Sequence, residues 1–281
     1  VTALLAAPGL DVNATDRTGR TALTLAAYRG HAQTVTALLA APGLEVNAAN
    51  DGGWTALMWA ADNGHAATVT ALLAAPGLDV NAADGDGQTA LMLAAVEGHA
   101  ETVTALLAAP GLDVNAADRD GWTALMQAVG GGHTETVMAL LAAPGLDVNA
   151  TSNAGQTALM RAANEGHTDR VTALLAAPGL DVNAADRDGW TALMWAANGG
   201  HTETVMALLP APGLDVNAAD GDGQAALMLA VDEGHAEMVM ALLAYPGLDV
   251  NVAAQNGRTV LMLVVDAGHA ETVMALLAYP G

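Results

Sequence analysis

The chain has 281 residues, 53% of them hydrophobic, with 30 acidic residues and a net charge of −22. With no Cys at all, it has no disulfide framework, no thiolate zinc site and no cysteine nucleophile. So acidic a balance excludes general nucleic-acid binding, which needs cations to displace counterions, and so apolar a composition excludes a disordered chain.

Residues 1–15 come first. Val1-Thr2-Ala3-Leu4-Leu5 lacks the basic region of a signal peptide and soon meets Pro8-Gly9. From there a pattern recurs every 34 residues: Thr-Ala-Leu begins at Thr21, Thr55, Thr89, Thr123, Thr157 and Thr191, and returns as Ala225-Ala226-Leu227 and Thr259-Val260-Leu261. All eight histidines keep the same step, each after a glycine, from His31 to His269. Such self-similarity predicts a solenoid rather than globular domains. The expected division is a partial unit 1–15, full units 16–49, 50–83, 84–117, 118–151, 152–185, 186–219 and 220–253, and a shorter last unit 254–281, in one array.

One unit, 16–49, reads as follows. Thr21 caps a helix over Ala22 to Arg29. Gly30 breaks it. A second helix runs from His31 to about Ala40, with Val35, Leu38 and Leu39 at helical spacing. Pro42 disfavours the helical conformation at Ala41 and stops it. Gly43 takes a positive φ, Leu44 folds back onto the last turn, and Val46 points inward. Asn47 through Gly53 has turn chemistry. Each unit is therefore helix, turn, helix and a protruding hairpin-like loop, all-α, with helices too short to stand alone. At Ala225 the capping threonine is lost, so unit 220–253 is expected to fray before its neighbours.

The pattern Asp16-x-x-Gly19-x-Thr21-x-Leu23-x-Leu25-Ala26-Ala27-x-x-Gly30-His31, with its closing Asp-Val-Asn-Ala, resembles the ankyrin repeat over essentially the whole chain. The resemblance implies an all-α ankyrin solenoid whose hairpin tips and concave first-helix face meet a partner protein. Three departures stand out. Thr-Ala-Leu-Met replaces the family's Thr-Pro-Leu-His, losing its proline and exchanging a histidine hydrogen bond for methionine packing. The repeat is also one residue longer, in the Ala-Pro-Gly-Leu corner.

Positions that vary between repeats are the candidates for a partner. The residue before each cap reads Arg20, Trp54, Gln88, Trp122, Gln156, Trp190, Gln224 and Arg258. Five residues on, Leu25, Trp59, Leu93, Gln127, Arg161, Trp195, Leu229 and Leu263 follow. Trp54 with Trp59, and Trp190 with Trp195, are expected to form two aromatic patches. Trp and Arg are enriched in binding hot spots, and replacement of leucine packing is the competing reading for Trp59 and Trp195. Asp84/Asp86, Asp118/Asp120, Asp186/Asp188 and Asp220/Asp222 recur at the tips, either as turn formers or as an acidic stripe for a basic partner.

Chemistry finds little support. Asp84-Gly85-Asp86-Gly87 begins like a calcium loop, but Thr89 stands at its sixth position and Ala95 at its twelfth. Histidines in neighbouring units are expected roughly 10 Å apart, too far to share a metal. Ser152 is the sole serine and has no nucleophile-elbow context. Lys is absent, which removes a Walker A lysine, a Schiff base and a polybasic patch. No apolar run reaches the ~18–20 residues of a membrane span. The expectation is a non-catalytic protein-binding module or scaffold, without cofactor or metal. The alternatives are a targeting segment of a larger enzyme or channel, and a structural subunit of a large assembly. The valines at 260, 264 and 265 make the last unit more apolar, as for an internal piece of a longer array or an end docked on another subunit. The absence of Cys fits a reducing cytosol.

Overall fold

The computed structural model describes residues 9–278. The expected helix at the start of the 1–15 stub and the terminal Pro280-Gly281 lie outside them. The described residues contain sixteen α-helices, no extended strand, and isolated antiparallel bridges at five of the hairpin loops, such as Ala83 with Thr89 and Ala219 with Ala225. They fall into two compact units, residues 1–147 and 148–281.

The first unit holds α1 (Ala22–Tyr28), α2 (Ala32–Leu39), α3 (Ala56–Asp62), α4 (Ala66–Leu73), α5 (Ala90–Val96), α6 (Ala100–Leu107), α7 (Ala124–Gly131) and α8 (Thr134–Leu141). The second holds α9 (Ala158–Asn164), α10 (Thr168–Leu175), α11 (Ala192–Asn198), α12 (Thr202–Leu208), α13 (Ala226–Asp232), α14 (Ala236–Leu243), α15 (Val260–Ala267) and α16 (Ala270–Ala278). In each unit the odd-numbered helices pack on one another in sequence and the even-numbered ones form a second layer behind them. In unit 16–49 both helices are a residue or so shorter than the sequence pattern suggests, whereas α7 and α15 keep the full eight residues expected of a first helix. The flanking Arg29 and His31 lie at the caps of α1 and α2.

Local rules account for these elements. Seven of the eight first helices of the pairs begin on a threonine whose hydroxyl accepts from the backbone N–H three residues on, as Thr55 does from Met58 at 3.4 Å. In three of them the methionine returns the favour: its Sδ accepts from the threonine N–H, as between Met194 and Thr191 at 3.4 Å. The methionine thus packs and also accepts a hydrogen bond. Met58, Met92, Met126, Met160, Met194 and Met228 are all buried. Where the first helix turns into the second, the glycine serves two ends. Gly64 adopts φ +70°, and a Cβ there would stand 2.7 Å from the His99 ring. Only glycine meets both demands.

That histidine links neighbours. His65 Nε2 lies 3.1 Å from the Tyr28 carbonyl, His99 3.0 Å from Asp62, His133 2.9 Å from Val96 and His201 2.9 Å from Asn164. Each satisfies a carbonyl at the end of the preceding first helix, which has no partner within its own helix. A second clamp is asparagine. Asn81 donates to the Gly111 carbonyl at 2.8 Å and accepts from the Asp113 N–H at 2.8 Å, and the same pair of bonds recurs from Asn13 to Asn217. Val80, Val114, Val148, Val182 and Val216 are buried beside it, whereas Val46, expected to point inward, is half-buried.

Ala225 holds the extended N-cap conformation of its threonine counterparts, is 2% exposed, and makes no side-chain cap. Thr68, Thr102 and Thr136 are buried on the second layer with hydroxyls that meet no partner. Met238 fills the same repeat position at 0% exposure, so that site accepts an apolar side chain. Ala225→Thr should stabilise the protein by about 1 kcal/mol by restoring the cap. Amide exchange in α13 should slow accordingly. Equal protection of α13 and α11 in the parent protein would contradict the frayed repeat. Thr102→Val should raise the thermal midpoint, because it removes a buried unsatisfied hydroxyl costing about 1–3 kcal/mol.

Candidate functional site: aromatic pairs and acidic hairpin tips

The hairpin tip is built by its first polar residue. Asp186 Oδ1 accepts from the Asp188 N–H at 3.0 Å and the Trp190 N–H at 2.8 Å. Asp84, Asp118 and Asp220 make the same turn, Asn50 makes it with an amide oxygen, and Ser152 with a hydroxyl. The first acid of each pair is therefore a half-buried turn former. The second acid is different. Asp86, Asp120, Asp188 and Asp222 are exposed. The first member of each pair therefore builds the turn, and the second stands out from it.

Backbone bonds stitch successive tips within each compact unit. Arg119 N–H donates to the Asp86 carbonyl at 3.0 Å, and Gly221 N–H to the Asp188 carbonyl at 3.0 Å. The approach is close: Gly189 has φ +87°, and a Cβ there would stand 3.0 Å from the Asp220 Cα. Tip side chains from adjacent repeats are consequently held side by side.

Both expected aromatic patches form. Trp54 and Trp59 have ring centroids 4.5 Å apart, and Trp190 and Trp195 4.7 Å apart, each pair tilted. All four rings are half-buried. In the second unit one carboxylate sets the pair. Asp186 Oδ2 accepts from Trp195 Nε1 at 3.1 Å while its Oδ1 holds the Trp190 N–H. In the first unit the ring of Tyr28 meets Trp59 edge-on at 5.4 Å, and Trp59 Nε1 is buried without a hydrogen-bond partner. Asn50 stands where the second unit has Asp186, and this exchange leaves the indole without a carboxylate. Trp122 is half-buried, and five residues on Gln127 Nε2 donates to Asp118 Oδ2 at 3.3 Å.

The three arginines of the expected face are each engaged within their own repeat. Arg20 pairs with Asp16 at 2.9 Å, Arg161 with Glu165 at 3.2 Å, and Arg258 with Asp266. Glu165 also meets His167 Nε2 at 3.0 Å. The hydroxyl and N–H of Thr18, followed by the N–H groups of Arg20, hold the Asp16 carboxyl well below the usual carboxylate range. Burial, with Glu97 nearby, pushes the Asp62 carboxyl up.

A surface cavity of about 530 Å³ opens at the second aromatic pair. Trp190 and Trp195 line it with Arg187, Asp188, Asp220 and Asp222. The sequence had singled out all of these except Arg187. Two further features escaped it. Met138, Met206, Met240 and Met274 are exposed, on the outward face of second-layer helices. The signal was present, since threonine holds that repeat position elsewhere, as at Thr36 and Thr104. Arg170 is 6% exposed at a position that is otherwise mostly threonine. In the last unit Val260 and Val264 are core residues, while Leu261, Met262 and Val265 are exposed.

Asn50→Asp should give Trp59 Nε1 the acceptor that Asp186 gives Trp195, raising stability by about 1 kcal/mol in thermal unfolding. No gain would mean that the Trp59 indole lies out of reach of position 50. No group of three or more potential metal ligands occurs among the described residues. Nor is any described helix long and apolar enough to cross a membrane. No curated protein matches the chain. The family model for ankyrin repeats (three copies) matches residues 1–84, 77–152, 132–220, 159–254 and 208–281. Those overlapping matches, laid over paired helices, clamped loops and hairpin tips, make the chain a member of the ankyrin-repeat family, a family of protein–protein interaction modules that is typically non-catalytic.

Proposed function

We propose that this chain is a non-catalytic binding module or scaffold, one continuous array of repeats that receives a basic protein along its hairpin tips and first-helix face. The observation that carries the reading is the half-exposed Trp190–Trp195 pair set among the exposed carboxylates of Asp188 and Asp222. Aromatic rings supply contact area at low entropic cost, and the acidic surroundings raise the association rate for a positively charged partner. Trp54–Trp59 is a second such aromatic pair in the first unit, with Gly52 at the position of Asp188. Arg20, Arg161 and Arg258, each already paired, contribute less, because a partner would first have to break their ion pairs.

A second reading has one observation in its favour. Leu261, Met262 and Val265 are exposed on α15, whereas their counterparts Leu227 and Met228 on α13 are buried. That surface fits a subunit docked end-on in a larger assembly.

Crosslinking separates the two. The chain has no lysine, so a carbodiimide that couples its carboxylates to a partner's amines reports the acidic face directly. Tip binding predicts crosslinks from Asp86, Asp120, Asp188 and Asp222 to one protein, weakened by raised salt as the Debye length shrinks from about 10 Å at 0.1 M to about 3 Å at 1 M. Crosslinks confined to Asp266 and its neighbours would overturn it in favour of end-on docking.

A further inference from the structure

The cavity at the second aromatic pair carries an inference that rests on the basic-partner reading and makes it specific. Its walls are two indoles and its rim is three carboxylates. Asp188 and Asp222 are exposed, Asp220 is half-buried, and none of the three forms an ion pair among the described residues. The one cation beside them, Arg187, does not neutralise them either. Its counterpart Arg119 reaches Asp86 on the preceding tip at 3.6 Å, but the preceding tip offers Arg187 only Ala154 in that place. The cavity is therefore concave, aromatic-walled and net negative, and its geometry is set in advance by Asp186, which fixes Trp190 through its N–H and Trp195 through its indole.

We infer that this cavity is a subsite for an arginine side chain of the partner protein, the guanidinium lying against the Trp190–Trp195 rings and its N–H groups donating to Asp188 and Asp222. A planar, weakly hydrated guanidinium both stacks on an indole and forks onto carboxylates, whereas a lysine ammonium is a strongly hydrated point charge that does neither so well. The combination discriminates by shape as well as by charge. Asp186 is a positioning residue, since both its oxygens are already taken up by the turn and by Trp195.

The test uses the full chain and acetyl-arginine methylamide as the probe, followed through the indole N–H signals of the five tryptophans. The expected result is a saturable shift of the Trp190 and Trp195 signals with a millimolar midpoint. Acetyl-lysine methylamide should bind at least threefold more weakly, and the neutral citrulline analogue should leave the signals unmoved. Trp190→Gln is the decisive variant, because Gln88, Gln156 and Gln224 occupy the same position in other repeats and the fold accepts it. It should abolish the shift of Trp195, and Asp222→Asn should weaken binding at least threefold. Equal shifts with lysine or citrulline, a shift at Trp122 as large as at Trp195, or binding undiminished in Trp190→Gln would each overturn the assignment. Crosslinks from the tips to a basic protein, without any response to the arginine probe, would sink this subsite and leave the broader binding role standing.

Discussion

Every described helix in this protein has nine residues or fewer, and such a helix in water cannot repay the cost of its own nucleation. Burial against the neighbouring repeat is the interaction on which the rest depends. Alanine makes it close. Ala60 and Ala61, Ala94 and Ala95, Ala196 and Ala197 are all at 0% exposure, and side chains this small let one first helix lie tightly on the next. Leucine and methionine fill the volume that remains. Stability is consequently shared along each compact unit, and the loss of one cap at Ala225 is tolerated because adjacent repeats hold α13 in place.

Polar bonds fix the geometry that apolar stacking alone would leave loose. Histidine, asparagine and the tip backbone each span from one repeat to the next, by bonds of similar length in successive repeats. The apolar contacts supply most of the free energy, since the net worth of one hydrogen bond is only about 1 kcal/mol. The polar clamps instead set register. They bring residue 190 of one tip beside residues 220 and 222 of the next, and so turn a one-dimensional repeat into a surface with cavities.

The aromatic pairs show how a single exchange tunes such a surface. Asp186 and Asn50 occupy the same place in two repeats and build the same turn. Only the carboxylate has a second acceptor to hold an indole, so Trp195 is hydrogen-bonded and Trp59 is covered by Tyr28 with its N–H left bare. The two patches are alike in composition and differ in order. The one that a carboxylate positions is also the one that lines the cavity.

The 34-residue period determined the fold by itself, because capping threonines, breaking glycines and the Pro-Gly corner act through local backbone preference and recur in phase. It also determined which residues vary, and from these the pairing of Trp54 with Trp59 and of Trp190 with Trp195 was legible. Tertiary structure decided what each of them does. Some of these roles are settled inside one loop, as where Asp16 holds Arg20 and Asp186 builds its turn, and others only between repeats, as where Asp86 meets Arg119 and where residues 190, 220 and 222 line one cavity. Arg119 and Arg187 occupy the same repeat position, yet the first meets Asp86 on the preceding tip, while the second finds Ala154 in that place. Contacts between tips, such as Arg119 with Asp86, arise only when repeats stack, so a one-dimensional reading names the candidates and the packed chain assigns their roles.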